Sequence, residues 1–305
     1  GAAVENSGTI EANGGQVLLT AQAVDGVFAN LVNNTGVVRA NRIDNSGGTI
    51  RLMGAGGTVR SSGVLDASAG DAVSSGGRVE VLGEQVGLFD SALVDVSGAT
   101  SGGTALIGGD YQGKNPEVLN AARTYVSSDA SIRADAGLTG DGGRVIVWAD
   151  EITRFSGSVS ARGGALSGDG GLAEVSGKEH LVFRGHADLT AVNGDVGSLL
   201  LDPTNIVIDD SSATDPTADD GTYAFAVDTG DATIGNATIE TLLASADVVL
   251  QATNDITQNA DATIDVSGVA GAEGSSLTLE AGENITLNGI IITNNGAVNL
   301  IADSA

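Results

Sequence analysis

The stretch FSGSVSARGGALSGDGGLAEVSGKEHLVFR, Phe155 to Arg184, carries three short apolar pulses: Ser158 to Ala161, Leu172 to Val175 and His180 to Phe183. Each pulse alternates apolar and polar residues with the two-residue period of a strand. Between them, Arg162 to Gly171 and Ser176 to Glu179 are rich in Gly, Ser, Asp and Lys, which turn a chain. The unit reads as strand, turn, strand, turn, strand, turn, with no room for a helix.

The same unit recurs, opening at Asn6 (NSGTIEA), Asn34 (NTGVVRA), Ser61 (SSGVLDA), Asp90 (DSALVDV), Ser128 (SDASIRA), Phe155 (FSGSVSA) and Gly185 (GHADLTA). Successive starts lie about 27 to 30 residues apart, with one interval near 38, a spacing that belongs to repeat architectures. The second pulse follows a glycine pair: Gly14-Gly15, Gly76-Gly77 and Gly142-Gly143, which are read as tight corners needing positive φ. The third pulse carries Phe28, Phe89, Phe155 and Phe183, four of the five phenylalanines. A three-strand repeat cannot bury its apolar face alone and must stack on its neighbours. The expected fold is therefore all-β, a right-handed parallel β-helix with three short strands per turn and one or two short helical insertions; the hand follows the usual sense of parallel crossovers.

The domain reading is one solenoid: β-helix turns over 1–201 with an insertion at 108–126, an acidic loop and short helix over 202–246, and further turns over 247–305. Composition agrees. The 305 residues include 46 glycines but only 3 prolines, 3% aromatics and no cysteine, so stacking and not disulfides must supply stability. A net charge of −26 speaks against nucleic acid or an anionic membrane as partner and suits an exported, soluble surface. No apolar run approaches the ~18 residues of a membrane span. Because Val4 and Ile301 are apolar so near the two ends, the repeat reads as uncapped and the chain as an internal segment, with terminal rungs open to edge pairing.

Departures from the repeat are the candidate sites. Within the insertion, Asn115-Pro116-Glu117 resembles a helix start and predicts a short helix or looped-out turn over 117–122. Tyr111, Lys114, Arg123 and Tyr125 make it a candidate binding flap. Asn6, Asn34 and Asn45 stand at turns and are expected to form a ladder, the alternative for Asn33, Asn236 and Asn284 being glycosylation. Asp209 to Tyr223 is acidic and poor in apolar residues, and should lie outside the stack. Its Asp209, Asp210, Asp219 and Asp220, with Asp215, are candidate calcium ligands, set against a passive loop with no bound cofactor. Thr238 to Ala246 reads as a helix behind a threonine cap, with Ile239, Leu242 and Leu243 on one face. His180 and His186 lack catalytic or metal-ligand spacing and are read as turn residues; Trp148 is read as an outward or end-packed ring.

The phrases GGDYQG…AARTYV, DGGRVIVWAD at Asp141 to Asp150 and GSLLLDPTNIVID at Gly197 to Asp209 resemble the filamentous-haemagglutinin-like exoproteins of bacterial two-partner secretion. The opening SGTIEANGGQVLLTA and TGVVRA look like the region that follows the secretion domain of that family. The resemblance covers nearly the whole chain. It implies a right-handed β-helical shaft, exported through the periplasm and an outer-membrane partner transporter to the cell surface or beyond, as a non-enzymatic adhesin or fibre. Host-cell or matrix glycans or proteins, and lateral or end-to-end copies of itself, are then the expected partners. The alternative left by the fold class is a polysaccharide-binding or polysaccharide-cleaving β-helix that uses clustered Asp on one face.

Overall fold

A computed structural model describes residues 1–23, 30–41, 48–69, 71–210, 224–225 and 230–303. Its strands stack in parallel, turn upon turn, as a β-helix with three walls. The seven unit openings read from the sequence are the seven strands of the first wall: Thr9–Glu11, Val37–Arg39, Val64–Asp66, Leu93–Asp95, Ser131–Arg133, Ser158–Ser160 and His186–Asp188. Register puts Ile10, Val38, Leu65, Val94, Ile132, Val159 and Ala187 in one inward column. In the second wall, Val17, Ile50, Val79, Ala105, Val145, Ala173, Leu199, Val248 and Leu277 form another. The strands Thr49–Ser61 and Arg78–Leu88 bend round a corner unbroken and serve both second and third walls.

The third wall contains the expected ladder, and the residues of one column change character along the stack. Asn6 Nδ2 donates to Asn34 Oδ1 at 2.7 Å, and Asn34 Nδ2 to Ser61 Oγ at 3.1 Å. Beyond Ser61 the same column continues as Leu88, Val126, Phe155 and Phe183. The last two rings stack with centroids 5.6 Å apart and planes 9° apart. Phe89 does not join them. It follows Leu88 by one residue, and the strand's period of two sends it to the opposite face. Phe28 and Asn45 lie outside the described residues. His180 and His186 are the first residues of strands, not turn residues.

The glycine pairs are corners, but not mainly through positive φ. Of the six residues in the three pairs only Gly14 has it, at 71°. What excludes a side chain is the neighbouring turn: a Cβ on Gly76 would lie 1.7 Å from the Val96 carbonyl oxygen, and one on Gly142 1.9 Å from that of Ala161. A second corner device is Asp-x-Ser/Thr. Asp66, Asp95, Asp188 and Asp265 each accept a hydrogen bond from the backbone N–H two residues on, at 2.9 to 3.2 Å, closing an Asx turn at the end of the strand that each terminates.

The region 202–246 contributes to the core at both ends. Ile206–Asp209 and Ala232–Gly235 pair in parallel, and Ile206, Ile208, Ala232 and Ile234 are buried with the main core. Chain order is broken there, since the later strand is the outermost of its sheet and Ile206–Asp209 lies between it and Ile256–Gln258. The expected helix spans Asn236–Leu243 and buries Ile239, Leu242 and Leu243; its N-cap is Gly235, with no side-chain cap, rather than a threonine. It replaces a first-wall strand. Ser245 Oγ donates to the Ala187 carbonyl above at 2.6 Å, and Glu240 Oε1 accepts from Asp265 N below at 2.8 Å. Eight helical residues span about 12 Å, close to the ~10 Å of a three-residue strand.

Phe183→Ala should cost about 3–5 kcal/mol in denaturant unfolding, the usual range for a fully buried ring. Asn34→Ala should cost about 1–3 kcal/mol, because it strands the amide of Asn6 and the hydroxyl of Ser61 in the interior. A loss within about half a kcal/mol at either position would place that side chain outside the stack.

Candidate functional site

Part of the outward face of the second wall is covered. Between Thr104–Ile107 and Arg123–Val126 the chain leaves the stack and folds back as a flap over 108–122. Its base is tied by Gly108 N to the Val81 carbonyl (2.9 Å), Ala121 N to the Gly108 carbonyl (2.6 Å) and Ala122 N to the Glu84 carbonyl (2.8 Å). Under it Leu106, Ile146 and Trp148 form an apolar cluster separate from the main core, with Val118 of the flap against them. Trp148 thus points outward, as read from the sequence, yet is only 3% exposed. Its Nε1 donates to Asp150 Oδ1 (3.0 Å), which also accepts from Asn120 of the flap (3.1 Å).

Of the two forms expected over 117–122, a short helix or a looped-out turn, the chain takes the turn. The described structure has a 3₁₀ turn at Tyr111–Gly113, capped by Asp110, and Asn115 closes an Asx turn with Glu117 N at 3.1 Å. The Asn-Pro-Glu signal acts as a turn because the segment must cross back to the stack within a few residues. Gly113, at φ 60°, lies against the indole: a Cβ there would sit 2.6 to 2.7 Å from the Trp148 ring.

The flap tip meets two carboxyls. Gln112 adopts φ 53° and ψ 22°, a left-handed conformation that costs a non-glycine residue roughly 1–2 kcal/mol. That geometry lets its backbone N–H reach both oxygens of Glu174, at 3.2 and 3.0 Å. Its side-chain amide donates to Gln251 Oε1 (2.6 Å) and more distantly to Asp202 Oδ2 (3.5 Å), while Lys114 Nζ donates to Gln112 Oε1 (2.8 Å). Glu174 is wholly buried. Burial pushes its carboxyl up to about 7 despite the hydrogen bonds from Gln112 and Ser176, and Asp202 adds repulsion. Burial likewise pushes Asp202 up to about 6. Glu80, in the same outward column, is differently placed, with Arg51 at 2.7 Å on one oxygen and Arg78 on the other.

The four candidate flap residues separate into two places. Tyr111 and Lys114 belong to the flap, with the Arg144 guanidinium 5.4 Å from the Tyr111 ring centroid and 3.0 Å from Asp110. Arg123 and Tyr125 are part of the third wall, because Arg123–Val126 pairs in register with Gln85 to Leu88 and with Ile152–Phe155. There Tyr125 packs with Phe89, ring centroids 5.0 Å apart, and Phe225 meets Phe89 edge-on at 6.1 Å. Arg60 lies 3.7 Å over the Phe89 ring, and Arg123 donates to the Phe225 carbonyl at 3.0 Å. Ala224 and Phe225 are therefore packed on the third wall, whereas most of the acidic stretch Asp209 to Tyr223 lies outside the described residues. Register also gathers arginines that look scattered in sequence, placing Arg60, Tyr125 and Arg154 in one outward column.

Of the calcium candidates, Asp209 and Asp210 lie with Asp261, one oxygen of each within 4.8 Å of the others. Asp215, Asp219 and Asp220 lie outside the described residues. Asp261 is about fifty residues away in sequence and comes near only through stacking. At one oxygen each, the three carboxylates described supply three of the six to eight oxygens calcium takes. No helix among the described residues is long and apolar enough to cross a membrane.

Compared with known proteins, the chain matches no family model and no curated protein.

Gly113→Ala should lift the flap from the ring. Trp148 is the sole tryptophan, so acrylamide quenching of its fluorescence reads this directly; quenching should rise sharply, and unchanged quenching would contradict the placement of Gly113. Chelator should leave the melting temperature of the intact chain unchanged, whereas a fall of many degrees would make the Asp209, Asp210 and Asp261 group a structural metal site.

Proposed function

We propose that the chain is the non-enzymatic β-helical shaft of a secreted, cell-surface adhesin or fibre exported by two-partner secretion. The observation that supports this most is the continuity of the inward columns, which pass through the turns beside the flap and the acidic excursion without losing register. A shaft needs a cross-section that repeats and a stability that accumulates turn by turn. Stacking without cysteine also suits a chain that folds only after crossing an outer membrane, and the phrases that resemble filamentous-haemagglutinin-like exoproteins point the same way. On this reading its partners are an outer-membrane transporter, then host-cell or matrix glycans or proteins, with self-association along or beside the shaft.

One observation favours a second reading, a polysaccharide-cleaving β-helix. Glu174 and Asp202 are carboxyls with raised proton affinity on an outward wall, beside Tyr111 and Arg144, the kind of groups that serve as acid and base on a sugar. One assay separates the two. Beads coated with the chain are offered to cell and matrix surfaces, and the soluble chain is incubated with acidic polysaccharides. The shaft reading expects retention on the surfaces and no new sugar ends. Sugar ends that appear with the parent chain and vanish with Glu174→Gln would replace it with the enzyme reading.

A further inference from the structure

We propose that the flap is a proton-held latch: the Gln112 turn stays seated while the Glu174 carboxyl beneath it is protonated, and lifts when that carboxyl ionises, baring Trp148, Ile146 and Leu106. The inference is independent of whether the chain is a shaft or an enzyme.

The geometry sets the device. The tip is held on the wall through Gln112, whose backbone N–H is bonded to Glu174 and whose side chain is bonded to Gln251 and reaches toward Asp202. Beneath this tip the charges that face Glu174 do not cancel. Arg144 of the preceding turn and Asp202 of the following turn act on it directly; around them stand Asp110, Tyr111 and Lys114 of the flap, Arg78 of an earlier turn and Glu280 of a later one. Arg144 is already engaged by Asp110 at 3.0 Å, and Lys114 by the Gln112 side chain at 2.8 Å. On Glu174 itself the Asp202 carboxylate outweighs Arg144, and the carboxyl is one that water does not reach. Protonated, Glu174 still accepts from Gln112 N through one oxygen and has the Ser176 hydroxyl beside it. Ionised, it is a buried charge next to Asp202, and the simplest relief is to let water in by raising the flap.

The sign follows from linkage. With the flap shut Glu174 holds its proton to about pH 7, and with the flap raised it ionises near its ordinary 4.5. The shut form is therefore favoured most below about pH 4.5. It loses ground as pH rises from there to about 7, where the equilibrium has moved toward the open form by roughly two orders of magnitude. The Asp202 carboxyl, raised to about 6, pushes in the same direction over a lower range.

Trp148 reports the state of the latch. In the intact chain, raising the pH from 5 to 9 should shift its emission to the red and increase acrylamide quenching severalfold, with the midpoint below about 7 and the change complete soon above it, while far-ultraviolet circular dichroism stays constant. Glu174→Gln mimics the protonated side chain and should hold the buried emission across the whole range. Asp202→Asn should keep the step but move it to lower pH, since it removes a repulsion that helps Glu174 retain its proton. In the parent chain, amide exchange at Gln112, corrected for the intrinsic base-catalysed rate, should lose protection over the same interval, a readout that does not depend on any variant folding. Constant emission of the parent between pH 5 and 9 would overturn the latch. So would an unchanged step in a folded Glu174→Gln chain, or a step accompanied by loss of the circular dichroism signal, which would mark global unfolding instead.

Discussion

Everything in this molecule depends on each turn offering its backbone and its side chains at the same places as the turn beside it. The inter-turn hydrogen bonds run along the stack, as in Val37 N to the Gly8 carbonyl and Val64 N to the Gly36 carbonyl, and any residue out of place would interrupt several columns at once. The strong periodicity of the sequence is the imprint of that constraint. It explains why a corner tolerates only glycine where two turns approach to within a Cβ radius, and why an asparagine, once buried in a column, finds its partner in the turn above or below. A buried amide or ring in one turn is satisfied by its equivalent in the next, so stability is shared between neighbours and not held within a repeat.

Departures from the repeat are accommodated by the same rule. The helix at Asn236–Leu243 substitutes for a strand of similar length, the flap leaves and re-enters without shifting the columns, and Phe225 packs against rings that face outward from the third wall. The outward faces are thus where this chain differs from a bare repeat. Glu80 and Glu174 show the contrast within one column, the first held between two arginines and the second beneath the backbone amide of Gln112, with Asp202 and Arg144 acting on it in opposite senses.

Much of the fold was legible because it is written in local periodicity. The seven openings from Asn6 to Gly185, the strands at His180 to Phe183 and at Ile152 to Phe155, the pairing of the two rings and the start of the asparagine ladder all follow from counting residues. The site was legible only in part. The insertion drew notice through Tyr111 and Lys114, but its conformation is fixed by Glu174, Asp202 and Gln251, residues 62 to 139 positions away that no local signal connects to it. Helix-start chemistry at Asn115-Pro116-Glu117 therefore lost to the need to cross back. Arg123 and Tyr125 read as part of the flap because RTYV shows two polar residues followed by two apolar ones and no legible alternation; only the register sets Thr124 and Val126 inward and Arg123 and Tyr125 outward. A glutamate flanked in its column by Ile146 on one side and Leu200 on the other, with no arginine in the register positions beside it, was the signal that could have singled out Glu174.

The central claim, in-register parallel stacking, has a direct test because the chain contains no cysteine. Ser131 and Ser158 are register partners in adjacent turns of the first wall, their hydroxyl oxygens 3.0 Å apart. Neighbouring strands lie about 4.8 Å apart, within reach of a disulfide, whereas a partner displaced by two residues lies roughly 8 Å away and out of reach. The double substitution Ser131→Cys with Ser158→Cys should cross-link on mild oxidation, as counted by mass spectrometry of the cleaved chain, and Ser131→Cys with Ser160→Cys should not. Cross-linking of the displaced pair in preference to the register pair would contradict the stacking on which the rest of the account stands.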